Sequence, residues 1–120
     1  MKLAATVLDA PEPRALARFY RDLLDWQVTE DEPDWVTLRP ADGGAGLCFQ
    51  TEHRYRRPTW PAGEGDQQMM IHLDIEVEDL AAACARAEEL GATVAGFQPQ
   101  DDVRVLLDPA GHPFCLFTRA

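Results

Sequence analysis

The chain repeats itself. Residues 7–50 and 71–118 pass through the same order of signals at an offset of about 67 residues, and each stretch is too short to form a domain alone. In both, an extended apolar segment leads through an acidic turn into an amphipathic helix. That helix stops at a paired landmark, Leu24-Asp25-Trp26 in the first stretch and Leu90-Gly91-Ala92 in the second. Three short strand-like segments follow each helix. The later landmarks correspond as well, since Pro40-Ala41-Asp42-Gly43 precedes Leu47-Cys48-Phe49-Gln50 much as Asp108-Pro109-Ala110-Gly111 precedes Phe114-Cys115-Leu116-Phe117. Two βαβββ modules in tandem account for this order. The expectation is one α+β domain over residues 1–120, with modules at about 1–51 and 68–120 joined by a loop at 52–67.

Within the first module, residues 3–8 read as a strand, and Asp9-Ala10-Pro11-Glu12-Pro13 supplies a turn with a proline suited to the first helical position. Leu16, Phe19, Tyr20, Leu23 and Leu24 recur at i, i+3, i+4, i+7 and i+8. They form one apolar stripe, which leaves Arg14, Arg18, Arg21 and Asp22 in the solvated positions. The second helix is expected at about residues 80–90, with Asp79 as N-cap, Leu80, Ala83, Cys84, Ala87 and Leu90 inward, and Gly91 as a left-handed C-terminal cap.

Strict alternation over residues 71–77 predicts a strand with Ile71, Leu73, Ile75 and Val77 toward the helices. Met70, His72, Asp74 and Glu76 fall on the other surface. The same rule puts Leu47, Phe49, Phe114 and Leu116 in the core and turns Cys48, Gln50, Cys115 and Phe117 to that other surface, with Trp35, Thr37 and Arg39 opposite Val36 and Leu38. The segment 51–67, with Arg54, Arg56, Arg57 and Trp60, has no periodicity and reads as a long ordered loop of the functional kind.

A hydrophobic content of 46% suits a core that stands without disulfides or structural metal. The net charge of −10 argues against a nucleic-acid partner, which would draw on clustered Lys and Arg. No apolar run approaches the roughly 20 residues that cross a bilayer, and no basic segment precedes an apolar one at the start. A cytoplasmic location without a membrane partner is therefore expected. The three cysteines are widely spaced, with no CxxC pair, and are expected as reduced thiols.

Glu12-Pro13-Arg14-Ala15-Leu16-Ala17-Arg18-Phe19-Tyr20, followed by Leu23-Leu24-Asp25-Trp26, resembles the opening of the vicinal oxygen chelate superfamily. Its relatives include the glyoxalases, the fosfomycin- and bleomycin-resistance proteins and the extradiol dioxygenases. His72-Leu73-Asp74, Asp79-Leu80, Leu90-Gly91-Ala92 and Asp108-Pro109-Ala110-Gly111-His112-Pro113-Phe114 look like the second module of its glyoxalase-like branch. The resemblance covers nearly the whole chain. It implies the glyoxalase/bleomycin resistance fold, in which tandem modules form a curved, cup-like mixed sheet with helices on the outer face, and it implies a homodimer.

Metal enzymes of the superfamily place His, Gln or Glu on the first strand of each module and Glu on the last strand of each. Carried over one residue at a time, His72 falls on the second module's first-strand position. Its counterpart in the first module is Ala5 or Thr6, depending on register, and neither is a competent ligand. The last-strand positions hold Cys48 or Gln50 in the first module and Cys115 in the second. Three of four positions thus depart from the metal pattern, so no cofactor is expected and no metal ligand is assigned. A divalent metal stays open, because His72, Cys48 and Cys115 would make a soft site if they met.

His72 reads either as a catalytic acid-base or ligand-contacting imidazole tuned by Asp74, or as a structural residue bonded to it. Cys48 and Cys115 read as small buried hydrophobes rather than catalytic thiols, since nothing in the sequence places a base or cation beside them, while Cys84 reads as core; His53 and His112 read as turn residues. Trp60 either closes over the cup or covers an interface or sheet edge. Trp35, Trp60 and Phe117 would line an apolar pocket for a small planar molecule, with Cys48, Gln50, Asp74 and Cys115 around it. The leading expectation is a metal-independent protein binding a small aromatic or amphipathic organic molecule, as resistance-type members sequester drugs. The competing one is a glyoxalase-type lyase, isomerase or dioxygenase acting through His72, assisted by Gln50 or Asp74. A dimerisation module with no accessible cup is the third.

Overall fold

Each half of the repeat forms its own unit in the computed structural model, which describes residues 1–119. Unit 1 spans Met1–Tyr55 and unit 2 begins at Arg56. Unit 1 runs β1 (Ala5–Ala10), α1 (Pro13–Leu24), β2 (Gln27–Glu32), β3 (Trp35–Arg39) and β4 (Gly46–Thr51). Unit 2 runs β5 (Leu73–Glu76), α2 (Leu80–Leu90), β6 (Thr93–Val94), β7 (Val103–Leu107) and β8 (Pro113–Phe117). Both sheets have the same strand order, β1-β4-β3-β2 and β5-β8-β7-β6. The first strand lies parallel to the last and the remaining neighbours are antiparallel. Parallel pairing needs a crossover connection, and in each unit the helix lies within it.

The apolar stripe of α1 builds the core of unit 1. Leu16, Phe19 and Tyr20 are buried against Val36, Leu38 and Phe49, and the Tyr20 and Phe49 rings stack with centroids 5.8 Å apart. Leu23 and Leu24 are half-buried, and Ala17 and Pro13 widen the buried face. In unit 2 the alanine face of α2 buries Ala87, and the centre is Phe114, Leu116 and Leu106.

The paired landmarks are helix stops. Asp25 and Gly91 both adopt the left-handed conformation, at φ 56° and 120°, and their N–H groups return to carbonyls of the last turn. Asp79 caps α2 by accepting from the Ala82 N–H, whereas α1 has no side-chain cap and starts on Pro13.

Two strands differ from the sequence expectation. β1 occupies residues 5–10 rather than 3–8, because its extent is set by the partner: Ala5 to Ala10 pair in order with Gly46 to Thr51. β5 is shorter than residues 71–77, since Met70 turns the chain at φ 64° and the Ile71 N–H bonds Met69, so Met70 and Ile71 lie exposed before the ladder begins. His72 therefore sits one residue ahead of its strand.

Candidate functional site

Strand alternation leaves each sheet with one face turned from its helix. On that face of unit 1 the register makes two rows. Val7 lies opposite Cys48, Cys48 opposite Thr37, and Thr37 opposite Glu30. One step along, Asp9 lies opposite Gln50 and Gln50 opposite Trp35.

The first row is wired by hydrogen bonds that meet on Thr37, whose side chain is buried. Its hydroxyl has one proton, which it gives to Glu30 Oε1 at 2.7 Å. The Trp35 indole Nε1 then donates to Thr37 Oγ1 at 2.9 Å, and the Cys48 thiol, 3.4 Å away, is left to donate into the second lone pair. Cys48 is thus buried and tied into the network. In the second row Gln50 Nε2 donates to Asp9 Oδ1 at 2.7 Å. Trp35 is half-buried and Gln50 exposed, so an indole edge and an amide are offered to solvent from fixed positions.

Unit 2 carries a different group on the corresponding face. Asp74 lies opposite Cys115, and His72 Nε2 is 3.0 Å from Asp74 Oδ1. One ligand atom each from His72, Asp74 and Cys115 falls within 4.8 Å of the others. Burial, the Asp74 charge and a hydrogen bond to Asp74 push the Cys115 thiol above its ordinary pKa, so it stays protonated at neutral pH. Phe117 follows on β8, half-buried, with the Arg119 guanidinium 5.4 Å from its ring centre.

The donor set of this cluster is one imidazole, one carboxylate and one thiol, which fits a borderline ion such as zinc better than magnesium. The thiol would have to lose its proton to ligate, against the burial and charge that hold it. Unit 1 adds nothing of the kind at the matching positions. Val7 pairs with Cys48 as Asp74 pairs with Cys115, so the counterpart of His72 is Ala5 rather than Thr6. Of the soft set His72, Cys48 and Cys115, unit 2 brings His72 and Cys115 together with Asp74, while Cys48 is bonded into the Thr37 network of unit 1.

The loop residues are anchored within unit 2. Trp60 Nε1 donates to the Phe97 carbonyl at 3.2 Å, and the two rings lie 6.1 Å apart. Arg57 lies over Gly111, where any Cβ would run into it, and donates to the Pro109 carbonyl. Asp108, wholly buried, accepts from the Ala110 and His112 N–H groups and lies 2.9 Å from His112 Nδ1, so His112 belongs to the turn, as its sequence context suggests. Two partners on unit 1's open face were not legible in the sequence. Glu30 stands in an acidic, fully exposed β2 and reaches Thr37 only through the register shift between Val28 and Glu30. Asp9 reads as turn and proves to be the last-but-one residue of β1.

The pattern of the glyoxalase-like domain family matches residues 5–117, and the chain belongs to that family. Solved structures with the same fold include a glyoxalase/bleomycin resistance protein/dioxygenase family enzyme from Burkholderia phytofirmans, 18% identical over 100% of both chains, with a TM-score of 0.75. A possible glyoxalase from Bacillus cereus is 14% identical over 98% of both chains, TM-score 0.71. The fosfomycin resistance protein FosX from Mesorhizobium loti is 12% identical over 98% of this chain and 92% of its own, TM-score 0.71. No curated protein matches. At these identities the likeness to solved structures is one of fold.

Proposed function

We propose that this glyoxalase-like protein binds a small aromatic or amphipathic organic molecule without a metal, on the sheet faces turned from the helices. The observation that carries the reading is the Thr37 network. It fixes the Trp35 indole and spends the Cys48 thiol, leaving a rigid aromatic edge beside the amide of Gln50. A fixed aromatic with a few oriented polar groups is how small-molecule sites gain selectivity at low entropic cost. Asp74, Cys115 and Phe117 are the corresponding contacts on unit 2, and the first-strand and last-strand positions of unit 1 hold Ala5 and Cys48 where a metal enzyme needs ligands. Trp60 would contribute only from its seat on Phe97. The proposal includes sequestration of the kind resistance proteins perform, in a cytoplasmic homodimer. Three free thiols suit a reducing compartment, and each unit leaves apolar side chains exposed beside its own edge strand, Leu3 at β1 and Met70 and Ile71 at β5, as self-association requires. Among the described residues, no helix is long and apolar enough to cross a membrane.

The test is a thermal-shift screen of aromatic acids, phenols and antibiotics in the presence of chelator, with binders re-examined on Trp35→Ala and Gln50→Ala. Binding weakened by both substitutions supports the reading, and a broad screen without binders counts against it. Sedimentation should give twice the 13.4 kDa chain mass. The convergence of His72, Asp74 and Cys115 favours a second reading, in which they hold a zinc-like ion as Lewis acid or His72 moves a proton in lyase, isomerase or oxygenase chemistry. Elemental analysis of protein purified without chelator, beside His72→Ala, separates the two. Stoichiometric metal lost in the variant would establish the second.

A further inference from the structure

A cavity of about 110 Å3 opens on the helical side of unit 1, between α1 and the β2 edge, away from the sheet face described above. Its floor is Ala17, Val28 and Val36, and its rim carries Arg14, Arg18, Arg21 and Asp31. In a chain with 11 Lys and Arg against 21 Asp and Glu, three arginines at i, i+4 and i+7 on one helix concentrate positive charge in an otherwise acidic molecule. Helix stability accounts for Arg21, which lies in the last turn, but not for Arg14. Arg14 occupies the first turn, where the macrodipole disfavours a cation, and no acidic residue accompanies it there.

The three arginines differ in what they have left to give. Arg14 donates through Nε to Asp31 at 2.8 Å and through Nη2 to the Asp31 carbonyl, which fixes it as one wall. Arg21 is held by Asp22 through Nε and Nη2. Arg18 lies between them, exposed, with no hydrogen bond or ion pair among the described residues. Two carboxylates set against three guanidiniums leave one positive charge, above an apolar floor with the room of roughly four waters.

We infer that this cavity is a second ligand site, selective for a small monocarboxylate whose carboxylate pairs with Arg18 and whose short alkyl body lies on Val28 and Val36. A guanidinium fork matches a carboxylate in two parallel hydrogen bonds, and the apolar floor discriminates against fully hydrated anions such as phosphate.

Sodium butyrate is the probe, with n-butylammonium as charge control and inorganic phosphate as the control for a bare basic patch. Titration of 15N,13C-labelled protein should give saturable shifts in the Arg18 Nε–H and the Val28 and Val36 methyl signals, with a dissociation constant of order 1 mM. Arg18→Gln should weaken butyrate by about tenfold. Val28→Asp, on a residue that is 42% exposed, should weaken it likewise by repelling the carboxylate while the thermal midpoint holds. The inference is overturned if phosphate binds as tightly as butyrate, if the shifts lie elsewhere, if both variants bind as the parent does, or if no saturation is reached.

Discussion

Thr37 is the residue on which the open face of unit 1 depends. It is 1% exposed and serves three partners, so replacing its hydroxyl by a methyl leaves Cys48 without its acceptor and Trp35 with only the longer 3.5 Å bond to Glu30 Oε1. Thr37→Val should cost about 1–3 kcal/mol in urea denaturation and shift the Trp35 indole resonance, whereas Thr37→Ser should keep most of the stability. Asp74 bears on Cys115 through charge. The thiolate is disfavoured first by burial and then by Asp74, so Asp74→Asn should lower the Cys115 pKa and raise its alkylation rate at about pH 8, read by mass spectrometry of the Cys115 peptide. Asp74 and Cys115 were legible because alternation on a strand is local information. Glu30 and Asp9 were not, since neither joins its partner except through pairing between strands distant in sequence.

The helices, more than the strands, were readable as elements. α2 runs from Leu80 to Leu90 between Asp79 and Gly91, as its caps announce, because a helix satisfies its own backbone and its ends are signalled by neighbouring side chains. Asp79→Ala should cost about 0.5–2 kcal/mol, while Glu12→Ala, at a position with no side-chain cap, should stay within about 0.5 kcal/mol in the same assay. Asp25 holds a left-handed conformation that suits glycine, so Asp25→Gly should stabilise by about 0.5–1 kcal/mol, seen as a raised thermal midpoint. Strand limits depend on partners that sequence periodicity does not see. β1 ends where β4 ends, and β5 starts after the Met70 turn. β6 is only two residues long: past it the Ala95 N–H still bonds the Val105 carbonyl, but the Val105 N–H goes to the Gln98 side chain.

For the whole molecule, the internal repeat carried the fold, as the two units repeat one topology and the same family pattern runs across both. What the repeat does not carry is equal chemistry. Unit 1 presents Ala5, Val7 and Cys48 where unit 2 presents His72, Asp74 and Cys115, so at these matching positions only unit 2 gathers an imidazole, a carboxylate and a thiol. Alkaline conditions should test the balance. Cys84 and Cys115 both have pKa values raised by burial from an ordinary 9.0, so the folded state holds its protons longer than the unfolded chain, and stability should fall as pH climbs past that value. Cys84→Ser should flatten part of that loss in urea melts.

The central claim is that ligand binding rests on the fixed face around Trp35 and needs no metal. The most direct measurement is a titration of chelator-treated, 15N-labelled protein with the strongest binder from the thermal-shift screen, following the Trp35 indole and Gln50 signals. The account predicts saturable movement of both, unchanged when zinc is added. Binding that appears only with metal and vanishes in His72→Ala would contradict it.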